Sequence, residues 1–148
     1  MRKIILPPLV FLTALIAMIL LHLYQPGKVW QSGPLGYIGI LLIALGVYIP
    51  AWAVRVFKQA ETNLMPYRDP DAMVTEGPFG FSRNPMYLGL LCVLIGVAVI
   101  LGTVNSLIVL PAFFAVINWY HIPFEEARMA AHFGENYTAY KAKVRRWI

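Results

Sequence analysis

Cysteine is almost absent from this chain. Cys92 stands alone, so no internal disulfide can form, and within its apolar run a thiol behaves as a small hydrophobe. Histidine is nearly as scarce: His22, His121 and His132 lie far apart with no cysteine beside them, so no metal is expected. Charge is thin as well. Asp and Glu number 7, and charged residues of both signs make up 13% of 148 positions, too few for an ordinary soluble surface. A Gly-rich strand-to-helix phosphate motif is also lacking, and neither a dinucleotide fold nor a nucleic-acid partner is expected.

What fills the chain instead is apolar sequence, 59% of it hydrophobic. That composition points to an all-α integral membrane protein of one domain, residues 1–148. Four transmembrane helices are expected, at about 4–24, 35–54, 86–101 and 106–120. The first is read as a retained span, because its apolar run exceeds a signal-peptide core and a Gln25-Pro26-Gly27-Lys28 turn follows where a cleavage site would be. Pro50 lies near the end of the second span, where a kink is expected. Gly36, Gly39 and Gly46 offer small surfaces for close packing, within the chain or between chains. The last two spans are short, roughly 24 Å each by helical rise. The link Gly102-Thr103-Val104-Asn105 should fold them into a tight antiparallel hairpin.

A polar loop, residues 55–85, separates the second and third spans, and a polar tail, residues 121–148, follows the fourth. In the tail, Pro123 suits the start of a new helix and Gly134 a C-terminal cap. A short amphipathic helix then carries Tyr137, Tyr140, Val144 and Trp147 on one stripe, read as packing against the protein or the membrane face. With four spans, every basic residue except Lys28 falls on one side, so the loop, the tail and both termini are expected in the cytosol. Arg145 and Arg146 could steer an anionic substrate head or bind anionic lipid, and the lipid-facing role is preferred; Trp119, Tyr120 and Trp147 are read as interface anchors.

Two motifs carry chemistry. Residues 77–89 read G-P-F-G-F-S-R-N-P-M-Y-L-G, placing Arg83 and Asn84 before a helix that opens on Pro85, where the exposed N–H groups can receive an anion. Glu125-Glu126 follow the fourth span, where basic residues would be the cheaper choice beside anionic lipid. Taken alone, the pair can simply complement a helix N-terminus. The hairpin, however, returns it to the membrane face that holds Arg83, Asn84 and Tyr87. Such a pocket offers a cation to a carboxylate, and carboxylates to an ammonium or a ribose. A zwitterionic sulfonium nucleoside matches that inventory better than a nicotinamide dinucleotide, whose phosphates want more Arg and Lys.

Val74-Thr75-Glu76-Gly77-Pro78-Phe79, then Arg83-Asn84-Pro85-x-Tyr87-x-Gly89, then Glu125-Glu126 with Phe133-Gly134-x-x-Tyr137-x-x-Tyr140 resemble the isoprenylcysteine carboxyl methyltransferases and related phospholipid methyltransferases. The resemblance implies a membrane methyltransferase using S-adenosyl-L-methionine, its pocket formed by the cytosolic loop and the C-terminal amphipathic helices. It implies that Asp71, Ala72, Met73 and Val74 line the adenosine, with Phe79 as an aromatic wall. Asn84, Pro85, Met86 and Tyr87 would hold the methionine end, with Glu125 a cofactor-contacting carboxylate and Glu126 its neighbour or partner. Arg83 would contact the cofactor or brace the loop against Glu126 or Glu76. Relatives often carry His where this chain has Asn84, and the eukaryotic enzymes an Arg where it has His121.

The candidate catalytic residues are therefore Arg83 and His121. A carboxylate acceptor is already ionised near neutral pH, whereas an amine or thiol must lose a proton, for which His121 is the candidate base. The alternative for His121 is an interfacial histidine bonded to backbone. The partners expected are membrane lipids and a lipophilic methyl acceptor, its apolar tail entering sideways from the bilayer of a bacterial or archaeal plasma membrane. Two other functions compete: an NADPH-dependent membrane reductase, and a non-catalytic membrane protein of the same fold.

Overall fold

Proline and glycine set the helix boundaries. The computed structural model describes residues 6–60 and 72–148. Asp71 and part of the polar loop lie outside the described residues. Helix α1, Pro7–Tyr24, opens on a proline pair, where the missing N–H groups have no helical partner to lose. Helix α2 is Gly36–Gln59. A 3-10 turn, Gly77–Gly80, precedes α3, Pro85–Leu101, which again starts on proline. Helix α3 ends at Gly102, whose positive φ of 63° lets its N–H close on the Ala98 carbonyl. A side chain there would collide with the Gln31 carbonyl.

Helices α4 (Val104–Leu107) and α5 (Val109–Val116), a π-turn (Ile117–His121) and α6 (Ile122–Phe133) join into one rod, Val104–Phe133. Pro123 therefore lies inside a helix and does not open a separate one. In a regular α-helix its ring would press on the carbonyl of Trp119. The π-turn widens the backbone just before it, and the Ile122 N–H bonds back five residues to Ile117. Gly134, at φ 53°, caps the rod through its N–H to Ala130 and leads directly into α7, Glu135–Lys143.

All elements among the described residues are helical, with a single isolated bridge between Val29 and Thr103. Among the described residues, three helices are long and apolar enough to cross a membrane: Pro7–Tyr24, Gly36–Gln59 and Val104–Phe133. Helix α3 is apolar but shorter, 17 residues. The core lies where α1, α3 and the rod meet, around Met18, Leu94, Phe113 and Ile117. The outer faces of α1 and α2 leave Ile16, Leu41 and Tyr48 more than half exposed, as a lipid-facing helix would.

Helix α2 joins α3 through glycine. A Cβ on Gly39 would stand 2.6 Å from the Gly96 carbonyl oxygen, and one on Gly46 2.6 Å from that of Gly89. The contacts are reciprocal, so the backbones touch at two points along an antiparallel pair. These glycines pack within the chain. Gly36 does not take part, having nothing within 4 Å of its would-be Cβ.

At one end of the bundle the link between α1 and α2 is stitched to the turn after α3. The Trp30 N–H donates to Gly102 O at 2.9 Å and the Val104 N–H to Lys28 O at 2.9 Å. The Gln31 amide donates to Val99 O at 2.6 Å. The hairpin expected between α3 and the following helix is thereby pinned, and the ends carrying Arg83 and Glu125 are left together at the opposite end of the bundle.

Candidate functional site

The site grows from the start of α3 and the second half of the rod. Asn84 precedes Pro85, so its backbone is held away from helical geometry, and its N–H is taken by the Ser82 hydroxyl at 3.1 Å. One turn into α3, the Tyr87 hydroxyl donates to Glu125 Oε1 at 2.5 Å. Arg83 Nη1 meets Glu126 Oε1 at 3.1 Å, with both side chains close to nine-tenths buried. Of the two acidic residues considered as its brace, Glu126 is the one Arg83 meets. Arg146 grips the same carboxylate in a fork, Nε to Oε1 at 3.1 Å and Nη2 to Oε2 at 2.7 Å. Lys141 Nζ lies 3.8 Å away. Three cations thus surround one carboxylate, while Glu125, one residue earlier, is held by a phenol.

Two buried nitrogens here lack a hydrogen-bond partner among the described residues: Arg83 Nε and His121 Nε2. His121 is only 4% exposed and lies against the rings of Tyr120 and Tyr87, at centroid distances of 5.2 and 6.4 Å. It precedes Glu125 by one helical turn, so both lie on one face of the rod.

The 3-10 turn forms one wall. The Phe79 ring is buried edge-on against Phe57, and its carbonyl accepts the Tyr140 hydroxyl at 2.7 Å. Burial pushes the Tyr140 phenol up to about 12, against a partly offsetting pull from Arg83. It therefore remains a donor at neutral pH. Tyr137 is also raised, by burial and then by Glu126, and lies 3.5 Å from Arg83 Nη1. The aromatic stripe of α7 thus packs against the protein. Ala72, Met73 and Val74 lie half-buried just upstream of the turn, and Met86 is half-buried in the first turn of α3.

Two sequence assignments change. Arg146 does not face lipid: its guanidinium is committed to Glu126 and, at 3.4 Å, to Asn118 Oδ1. Trp147 is not an interface anchor. It donates to the same Asn118 oxygen at 3.0 Å and stacks on Phe114 at 4.9 Å. Trp119, by contrast, is 70% exposed. Asn118 was missed because an asparagine in an apolar run is read as part of the run. Only a buried hydrogen-bonding need on a facing segment would have marked it.

Fold and site together describe an all-helical integral membrane protein with an ionised cluster at one end of its bundle. The chain belongs to the phospholipid methyltransferase family, whose model matches residues 35–136. It is 31% identical over 114 residues to a probable protein-S-isoprenylcysteine O-methyltransferase of Oryza sativa subsp. indica, covering 73% of this chain and 58% of that protein. It is 28% identical over 123 residues to the protein-S-isoprenylcysteine O-methyltransferase of Schizosaccharomyces pombe, covering 79% of this chain and 48% of that protein. An uncharacterized protein of Haemophilus influenzae is 40% identical over 63 residues, 43% of this chain and 100% of that protein. The chain spans about half the length of the methyltransferases it matches. No solved structure matches it.

Proposed function

We propose that this chain transfers a methyl group from S-adenosyl-L-methionine to a lipophilic acceptor at the cytosolic face of the membrane. The observation that supports this best is the buried cluster of Arg83, Tyr87, Glu125 and Glu126, with Arg83 Nε and His121 Nε2 unpartnered among the described residues, inside a chain of a methyltransferase family. The donor set fits the cofactor: a guanidinium for its carboxylate, and carboxylates for its ammonium and ribose. Bound there, the cofactor would supply a methyl group activated on a sulfonium. Asn84, Pro85, Met86 and Tyr87 would hold its methionine end. Asp71, Ala72, Met73, Val74 and Phe79 would line its adenosine, and Glu125 and Glu126 would contact or frame it.

The chain's own task is then to align acceptor and methyl and to exclude water. Tyr87 fixes the Glu125 carboxylate. Arg83 holds Glu126 and is a candidate to meet the cofactor. His121 would accept the proton of an amine or thiol acceptor, whereas a carboxylate needs no base. Helix α3 serves as a fourth crossing, roughly 25 Å long by helical rise, in a locally thin bilayer. Lys28 lies at the bundle end away from Arg83, Arg128, Lys141, Arg145 and Arg146, which by the positive-inside rule supports a site facing the cytosol, in a membrane read as a bacterial or archaeal plasma membrane.

The test is calorimetric titration of the detergent-purified protein with S-adenosylmethionine, S-adenosylhomocysteine and NADPH. The two adenosyl ligands should bind, and Glu125→Ala should weaken both at least tenfold. Binding of NADPH alone would instead make the protein a reductase.

A further inference from the structure

The residues after α7 lie across the site. Val144 turns extended (φ −116°, ψ 130°), and the three residues that follow are bonded to the segment before α3, to the π-turn and to α6. The Arg145 carbonyl accepts the Arg83 N–H at 3.0 Å, and the Arg146 carbonyl accepts the Asn84 side-chain amide at 2.9 Å. The Arg146 fork holds Glu126 on α6, and its remaining amino group reaches Asn118 in the π-turn. Trp147 meets the same Asn118 oxygen. This strap lies beyond residues 35–136, the stretch the family model matches.

The pattern is more than packing needs. Stacking on Phe114 would bury Trp147 without any help from Arg146. Glu126 already has Arg83 and Lys141 as counter-charges, so Arg146 is not needed for neutrality. What a planar fork adds is orientation: two parallel N–H bonds fix the carboxylate plane, which a lysine ammonium cannot do. The same residue's carbonyl holds Asn84, at the start of α3, against the π-turn side of the rod.

We infer that Arg146 is a positioning residue of the methyl-transfer site. It sets the plane of Glu126 and, through the strap, the spacing between the start of α3 and the π-turn. The inference rests on the cofactor reading above. In this role the Arg146 guanidinium acts through Glu126 and not on cofactor or acceptor, and the strap it anchors there carries the effect on to Asn84.

The experiment combines S-adenosylhomocysteine titration with hydrogen exchange of the ligand-free protein, for wild type, Arg146→Lys, Glu126→Gln and the double variant. Arg146→Lys keeps the charge and loses the fork. It should weaken binding at least tenfold and speed exchange of the Arg83 amide at least tenfold. The Trp30 and Val104 amides, at the far end, should exchange as in wild type, showing that the fold is intact. In the Glu126→Gln background, Arg146→Lys should change binding less than twofold, because its route is already cut. Wild-type affinity and exchange in Arg146→Lys would overturn the inference, as would fully multiplicative effects in the double variant. Absence of binding by wild type would overturn the cofactor reading and the positioning role with it. The Arg83 amide would then still report whether the strap holds α3, so the two failures are distinguishable.

Discussion

Gly46→Ala is the sharpest test of the helix seam. An alanine Cβ there would stand 2.6 Å from the Gly89 carbonyl oxygen and 2.7 Å from both the amide nitrogen and Cγ2 of Val93. Ordinary contact begins at 3.4 Å. The two nearest backbone atoms cannot rotate aside, so α2 and α3 must part by roughly 0.8 Å to admit the methyl. Overpacking of this kind costs about 1–3 kcal/mol, and the better helix propensity of Ala returns about 1 kcal/mol at most. A net loss of about 1–2 kcal/mol is expected. Gly36→Ala is the internal control: same helix, same chemical change, nothing within 4 Å, and so no loss. The assay is unfolding of both variants in one detergent, followed by titration with S-adenosylhomocysteine. Because Tyr87 lies two residues from Gly89, the displaced α3 should also weaken ligand binding in Gly46→Ala. Equal stability of the two variants would refute the contact on which the seam is argued.

Three further outcomes follow from the site and the rod. Glu126→Gln leaves Arg83 and Arg146 partly buried without their counter-charge and should destabilise by about 3–5 kcal/mol, read as a lowered unfolding midpoint. Tyr140→Phe strands the Phe79 carbonyl and should cost about 1–2 kcal/mol at neutral pH. Because the folded-state value of Tyr140 is raised to about 12, wild type holds its full stability below the ordinary tyrosine range and loses part of it as the pH climbs toward 12. Tyr140→Phe should lose less over that interval, so the two unfolding curves should draw together with rising pH; a constant gap would refute the assignment. Pro123→Ala restores an N–H that can bond to Trp119 and removes the ring that favours the π-turn. If the rod returns to α-helical register, the face carrying Glu125 turns away from Tyr87, and binding of S-adenosylhomocysteine should fall at least tenfold with helix content unchanged by circular dichroism.

Much of this was legible in the sequence, for identifiable reasons. Apolar run length gave the helices, and the short link at Gly102 gave the return of the chain that brings Glu125 to Tyr87 and Glu126 to Arg83. The boundary at Pro123 misled because a proline after an apolar run has two physical solutions. One is a new helix; the other is a π-turn that keeps the old one, and local sequence does not choose between them. Gly36 misled because composition does not tell which face of a helix meets a partner. Gly39 and Gly46, two turns apart, meet Gly96 and Gly89 at the same spacing, and that match is visible only when both helices are laid side by side. Arg146 and Trp147 misled because charge and aromaticity near a membrane suggest lipid, while their partner, Asn118, gives no signal of its own.

The seam and the strap act on the same short segment from opposite directions. From the membrane side, Gly46 and Pro50 of α2 lie so close to Gly89 that no side chain fits between α2 and α3 near the start of α3. From the polar side, the Arg145 and Arg146 carbonyls take the Arg83 N–H and the Asn84 amide. Between the two holds lie Pro85, Met86 and Tyr87, one turn of helix with its position set at both ends. The rod is treated likewise: Phe113 and Ile117 are fixed in the core, Asn118 by the strap, and Glu126 by the Arg146 fork. Backbone contact does not yield to a change of rotamer, and a bidentate charge pair fixes orientation as well as distance. A site that only had to bind grease would not need them. The proposed alignment of an acceptor with a methyl group and its sulfur would.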